Sequence, residues 1–314
     1  MDAVIEAKNL TKRFRRQPVD QPAVKELSLQ VSPGQLFGLI GPDGAGKTTL
    51  IRMLSSVMEP TTGSARVLGF DVVHQAEQMR PFVGYMPQAF SLYPDLTVRE
   101  NIDFFADLHG ISGEKRADRI AELLEFARLT EFQDRRGGLL SGGMRKKLAL
   151  ACALIHEPKV LFLDEPTTGV DPVSRRELWE LLSRVALQGV TVFMSTPYMD
   201  EAERCNAVAI IYQGSLLTQG TPVDLEAELP FDVLEVKARP RAKMRELVGK
   251  TGGIVDWRPV GDRLRLWVKD AKAVKKHLEE TFERSGLEVD ILRQARPTME
   301  DVFIHLMNHR KEGA

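Results

Sequence analysis

Residues 41–49 read GPDGAGKTT, preceded by the apolar run LFGLI (Leu36–Ile40) and followed by a helically patterned segment within KTTLIRMLSSVM. The stretch fits G-x-x-x-x-G-K-[ST]. Gly41, Gly44 and Gly46 let backbone N–H groups approach and surround phosphate oxygens, with Pro42, Asp43, Ala45 and Thr49 as members of the same loop. Lys47 has the reach to meet the outer phosphates of a nucleotide. Thr48 offers a hydroxyl to Mg²⁺, and the helix that follows aims its N-terminal dipole at the anion. A strand, a glycine-rich turn and a helix in that order predict a nucleotide-binding α/β core.

Further along, VLFLDE (Val160–Glu165) is a buried-type strand ending in two acids. Asp164 at its tip is suited to hold the water shell of Mg²⁺ beside the phosphates, and Glu165 to polarise an attacking water as general base. With the phosphate loop these acids predict an ATP- and Mg²⁺-dependent hydrolytic site.

Many phosphate-loop enzymes share both motifs, and the stretch LSGGM (Leu140–Met144) distinguishes among them. Ser141 and the N–H groups of Gly142 and Gly143 would open a helix and form an anion site suited to a γ-phosphate. Here the sequence resembles the ABC ATPases, whose signature is LSGGQ or a close variant. The resemblance covers roughly Val4 to Leu229 and implies a P-loop NTPase core with an antiparallel β subdomain and a helical subdomain. It implies dimerisation, because the signature of one subunit completes the ATP site of a second ATP-binding domain. It assigns Phe14, in TKRF, to stacking on adenine, where the family more often has tyrosine. Gln88, in YMPQ, matches the loop whose glutamine meets Mg²⁺ and senses the membrane partner, which makes Thr48, Gln88 and Asp164 the implied metal ligands. Asp171, in TTGVDP, matches the loop that touches the opposite subunit. Two readings stand for Phe90, Leu92 and Tyr93: a groove for a transmembrane coupling helix, or packing inside the helical subdomain.

One position departs from the pattern. Where the family reads S-T-H, this chain reads Ser195, Thr196, Pro197, followed by YMDEAE in register. The family's histidine contacts the γ-phosphate and helps hold the attacking water. Proline has neither a side-chain donor nor a backbone N–H, and Tyr198 should face the other side of the strand. The expectation is a site that binds ATP well and hydrolyses it slowly, with Glu165, Lys47 and Gln88 retained as its catalytic set.

The 314 residues are enough for one large domain and a smaller one. A hydrophobic share of 43%, a charged share of 28% and a net charge of −1 exclude a disordered, fibrous or strongly basic nucleic-acid-binding chain, and no nucleic-acid partner is expected. Cys152 and Cys205 match no metal spacing and read as buried thiols of a reducing compartment. No apolar run approaches the roughly 18 residues of a membrane helix, and the first residues lack the pattern of a signal peptide. Work at a membrane would need another chain's membrane domain.

The predicted division is an ATP-binding domain over 1–229, with a helical subdomain over about 94–155, and an accessory domain over 230–314. In the tail, VLEVKA, a helix from Arg241, IVDWRPV, RLRLWVK, a helix from Ala271 and EVDILR form two βαβ-like units, which predicts a small ferredoxin-like α+β fold. The closing PTMEDVFIHL (Pro297–Leu306) resembles the TLEDVFLHL ending of ATPases of ABC-2-type exporters, the branch that includes daunorubicin-type drug exporters. That resemblance implies export through ABC-2-type transmembrane permease subunits, with this chain peripheral at the cytoplasmic face of the inner or plasma membrane. It leaves open a stand-alone subunit or the first half of a tandem ATPase. The alternatives are a soluble ABC ATPase acting on ribosomes or DNA, and a binding-only regulatory domain.

Overall fold

The computed structural model describes residues 3–15, 21–89 and 92–312, so Phe90 and part of the loop between the first two strands lie outside the described residues. The chain forms two compact units, Met1–Pro222 and Val223–Ala314. This boundary falls ahead of the expected one at Leu229. The reason lies in a short helix, α8 (Pro222–Ala227), where Leu225 is buried and the Glu226 carboxylate accepts from Arg296 Nε at 3.0 Å, which commits the helix to the second unit.

The first unit opens with an antiparallel sheet in the order β2-β1-β4-β5, built from β1 (Ile5–Lys12), β2 (Val24–Val31), β4 (Thr62–Val67) and β5 (Phe70–Asp71). Val24, Leu27, Leu29 and Val31 turn inward along β2 while charged and polar neighbours face out, as a sheet with one wet face requires. A second sheet has the order β10-β9-β3-β8-β7-β6, from β3 (Leu36–Ile40), β6 (Val83–Met86), β7 (Val160–Asp164), β8 (Thr191–Thr196), β9 (Ala207–Tyr212) and β10 (Ser215–Gly220). Five of its strands run parallel and β10 pairs antiparallel at the edge. Every residue of β3, β7 and β8 is buried, which explains why these strands lack alternation. Phe37 stacks on Phe193 with ring centroids 5.2 Å apart. Helix α1 (Lys47–Leu54) contributes Leu50, Met53 and Leu54 to a core shared with residues of both sheets.

The short α2 (Ala76–Met79) precedes β6. Between β6 and β7 the chain builds α3 (Val98–Leu108), α4 (Glu114–Phe126) and α5 (Gly142–Leu154). Thr97 and Glu100 form a reciprocal capping box at the start of α3. The Asn101 amide donates to the carbonyls of Tyr93 and Thr97 at 3.0 and 2.9 Å, which fixes the loop before that helix. Helix α6 (Pro172–Leu187), N-capped by Asp171, returns the chain to β8, and α7 (Met199–Ala202) follows it.

The second unit runs β11 (Asp232–Arg239), α9 (Arg241–Lys250), β12 (Ile254–Val260), β13 (Arg263–Val268), α10 (Ala271–Arg284) and β14 (Glu288–Ala295) before α11 (Met299–Glu312). Its sheet order, β12-β13-β11-β14 with antiparallel neighbours, is the ferredoxin-like arrangement. Met244 and Val248 of α9 and Leu278 and Phe282 of α10 cover one sheet face around Leu234, Val236 and Leu266. On the other face Ile304 of α11 packs with Phe231, Val233 and Trp267. Asp301, fully buried, anchors that helix. Its carboxylate accepts from Arg265 Nη2 at 2.7 Å, Arg258 Nη2 at 2.9 Å, Trp267 Nε1 at 3.0 Å and the Thr298 backbone N–H at 2.9 Å. The PTMEDVF string therefore encodes the anchorage of the last helix.

Candidate nucleotide site

The carboxyl ends of β3, β6, β7 and β8 lie side by side, where open α/β sheets take their ligands. Residues 41–46 cross from β3 to α1. Gly46, the N-cap of that helix, has φ 106°, and a Cβ there would sit 2.2 Å from the Ala23 carbonyl oxygen. A Cβ on Gly41 would lie equally close, 2.2 Å, to the carbonyl oxygen of Ile211. Both positions require glycine for space, and Gly46 also for its backbone angle. Gly44 differs from both. It is exposed at the tip of the loop, and a Cβ there would meet no atom within 4 Å, so the structure gives it no crowding reason to be glycine. Its φ of 76° is the reason instead, since that angle turns the loop back toward α1. Asp43 beside it is exposed too, its carboxylate 4.0 Å from the Lys47 ammonium, whereas Ala45 is buried.

Lys47 is only 4% exposed; its ammonium donates to the carbonyls of Gly41 and Pro42 at 2.9 and 3.1 Å and pairs with Glu165 Oε1 at 3.2 Å. Asp164 Oδ1 accepts from the hydroxyls of Thr48 at 3.1 Å and Ser195 at 2.7 Å. Asp164 Oδ2 is buried and has no hydrogen-bond partner. A buried carboxylate oxygen left bare is costly, so this atom is an acceptor in need of a ligand. Glu165 turns the chain at φ 50°, with its N–H held by Ser195 Oγ at 3.0 Å, while Oε2 accepts from Gln88 Nε2 at 2.9 Å and Thr168 Oγ1 at 3.2 Å. The structure thus brings Lys47, Thr48, Gln88, Asp164 and Glu165 to one place.

The other expected residues stand elsewhere. Phe14 is 39% exposed, with the Lys12 ammonium 5.7 Å from its ring centroid. Ser141 caps α5, its hydroxyl accepting from Met144 N at 3.2 Å, and Gly142 and Gly143 form the first turn. None of these contacts reaches the phosphate loop. A Cβ on Gly143 would meet Ser174 Oγ at 2.2 Å and Ser174 Cβ at 2.3 Å. Gly143→Ala is therefore expected to cost about 1–3 kcal/mol of stability, and Ser174→Gly in the same chain to restore most of it. Thermal melts of the single and double variants measure this; an undiminished Gly143→Ala melting point would refute the close contact. Asp171 accepts from the N–H groups of Val173 and Ser174 at 3.1 and 3.0 Å, a local cap.

Beyond β8, Thr196 Oγ1 donates to Glu201 Oε2 at 2.6 Å and accepts from Tyr198 N at 3.1 Å. Glu201, fully buried, also accepts from Thr167 Oγ1, Arg175 Nε and Trp179 Nε1 at 3.0, 2.7 and 3.2 Å. Pro197 is half-buried between these anchors, and the Tyr198 ring lies under the Arg175 guanidinium at 4.6 Å. Two site residues escape the sequence reading. Ser195 gives a weak signal, a hydroxyl at the inner end of an apolar strand. Lys146 gives none, since a lysine pair in the helical run GGMRKKLALACALI reads as a solvated face. Its ammonium in fact donates to the carbonyls of Gln88 and Glu165, both at 3.3 Å. Burial draws the Lys146 pKa down, opposed by the charges of Asp164 and Glu165.

Strand order, a phosphate loop feeding α1 and paired acids ending β7 define a P-loop nucleotide-binding ATPase. The ABC transporter family profile matches residues 24–168. The chain is 38% identical over 295 residues to the Nod factor export ATP-binding protein I of Rhizobium etli, covering 93% of this chain and 91% of that one. It belongs to the ATP-binding subunits of the ABC transporter family. It is also 42% identical over 309 residues to the probable multidrug ABC transporter ATP-binding protein YbhF of Escherichia coli K12, covering 98% of this chain and 52% of YbhF. The chain thus spans about half the length of that relative. Among solved structures, the dimeric post-hydrolysis state of the ATP-binding cassette MJ0796 with ADP and Pi superposes with a TM-score of 0.63 at 26% identity, over 69% of this chain and 98% of that one.

Proposed function

We propose that this chain is the ATP-binding subunit of an exporter of the ABC-2 type, and that its own site binds ATP securely and hydrolyses it slowly. The observation that carries the reading is the convergence of Lys47, Thr48, Gln88, Asp164 and Glu165 at the carboxyl ends of the central strands, with Lys47, Asp164 and Glu165 buried there. The phosphates of ATP take over the Lys47 ammonium, which two carbonyls and Glu165 otherwise share. Glu165, released from that ion pair, accepts the proton of the attacking water, and the Gln88 amide orients its carboxylate.

The donors present suit Mg²⁺. Among the described residues no cluster of three or more His, Cys, Asp or Glu could hold a metal by itself, and one carboxylate with a neighbouring hydroxyl is what a cation shared with phosphates needs. The bare Asp164 Oδ2, the Thr48 hydroxyl and the Gln88 side-chain amide oxygen would hold it. Bound there, it would neutralise charge on the phosphate oxygens.

Ser141, Gly142 and Gly143 act on the nucleotide of a second ATP-binding domain, and Asp171 meets that domain. Phe14 stacks on adenine. Among the described residues no helix is long and apolar enough to cross a membrane. Permease subunits of the ABC-2 type supply the path, with this chain at the cytoplasmic face, a reading that the likeness to export ATP-binding proteins supports. The exposed Tyr93, edge-on to Phe104 at 4.7 Å, and the exposed Leu108 support a docking face for them, the first of the two readings of that loop. The names of the two relatives and the PTMEDVF ending support export.

Pro197 is the reason for slow hydrolysis, because nothing at that position can donate to a γ-phosphate or hold the water. Pro197→His is expected to raise steady-state turnover by about tenfold or more, the scale of one added proton-handling group, with little change in ATP affinity. An unaltered rate in a variant that still binds ATP sinks the assignment of the slow step to this residue.

A further inference from the structure

Helix α5 carries two separate groups of residues. Its first turn holds the Ser141–Gly143 stretch proposed to face a second subunit's nucleotide, and the following turn brings Lys146 against this chain's own site. Lys146 is 4% exposed, so water contributes little to holding its ammonium. It bridges the Gln88 and Glu165 carbonyls, both at 3.3 Å, which ties the loop after β6 to the turn after β7.

Glu165 needs such a tie. A non-glycine residue at φ 50° is held only when its surroundings over-determine it. Ser195 holds the N–H side of this residue from β8, and Lys146 holds the carbonyl side from α5. From that backbone the side chain extends toward Gln88, Thr168 and Lys47.

We propose that Lys146 is a positioning residue for Glu165, fixing its strained backbone and the Gln88 loop in one arrangement and so making hydrolysis depend on how α5 is seated. The inference rests on the reading of Glu165 as the general base. It makes α5 the link through which engagement of the signature by a second subunit reaches the base of this site.

The test uses the full chain with Lys146→Met and Lys146→Arg. Methionine keeps the aliphatic length and removes the donors, whereas arginine can donate to both carbonyls. Steady-state hydrolysis of magnesium ATP should show kcat lowered by about tenfold to a hundredfold in Lys146→Met, the scale of a small misplacement of a reacting group. KM should stay within about twofold, and Lys146→Arg should return most of kcat. Amide hydrogen exchange of the nucleotide-free chain should speed up by about tenfold at residues 165–169 in Lys146→Met, with β3 and β7 unchanged. An unchanged kcat in Lys146→Met overturns the proposal, as does faster exchange spread through the whole core. Absent turnover in the wild type would instead sink the reading of Glu165 as base, and the exchange pattern alone would still decide whether Lys146 holds that turn.

Discussion

Lys47→Met is expected to remove turnover, by about a hundredfold to a thousandfold for the loss of one charged group aimed at the reacting phosphates, and to destabilise the nucleotide-free chain as well. The second effect comes from the ion pair of Lys47 and Glu165, 3.2 Å apart with side chains 4% and 5% exposed. Removing one member of a buried pair strands the other, at about 3–5 kcal/mol. Glu165 then retains the neutral donors Gln88 and Thr168. Lys47→Met combined with Glu165→Gln should recover much of that stability and remain inactive, because the stranded charge is gone while the chemistry still lacks both groups. Denaturant titration without nucleotide, beside an ATPase assay, separates the two effects. Equal stabilities of the wild type and Lys47→Met would mean that the pair does not persist in solution.

Asp301→Ala should damage the second unit on a similar scale. The substitution leaves the Arg265, Arg258 and Trp267 donors facing a vacated buried point and unties α11, about 3–5 kcal/mol by the same reasoning. The change should be confined to Val223–Ala314 and read by Trp267, whose indole N–H bonds the lost carboxylate. A pH dependence accompanies it. Burial raises the Asp301 pKa, but the hydrogen bonds of Arg265 and Trp267, the Arg265 charge and the Thr298 N–H outweigh it and leave the group below the usual carboxylate range. A depressed folded pKa stabilises fully above the unfolded value of about 3.9 and loses that contribution as pH falls through the folded pKa. Stability of this unit should therefore fall in acid below about pH 4 in the wild type, and less steeply in Asp301→Ala. A wild-type profile as flat as the variant's would contradict the assignment.

Much of this molecule was legible in its sequence, for reasons that differ by element. Residues 41–49 were readable because backbone crowding at Gly41 and Gly46, the left-handed turn at Gly44 and the demands of phosphate leave few spellings. The strands β3 and β7 announced themselves as apolar runs, and the tail's order of patterns was enough for its sheet order. Contacts made by backbone carbonyls left no trace, since a carbonyl has no letter of its own. Lys146 was invisible for that reason, as was the grip of Gly41 and Pro42 on Lys47. The role of Asp301 was hidden in another way. Its string was legible as a family likeness, whereas its partners Arg258, Arg265 and Trp267 lie on strands that only the fold brings to it.

The order β3-β8-β7 puts β8 between the strand that feeds the phosphate loop and the strand that ends in the acids. Ser195, near its carboxyl end, is bonded to both Asp164 and the Glu165 backbone, so it joins the carboxylate proposed for the metal to the turn of the proposed base. Pro197, two residues on, lies beyond these bonds. The tip of β8 is thus divided: Ser195 holds two neighbouring elements of the site together, whereas Pro197 makes none of these bonds and, on the proposed function, is the position at which the pace of the cycle can be reset while nucleotide capture stays intact.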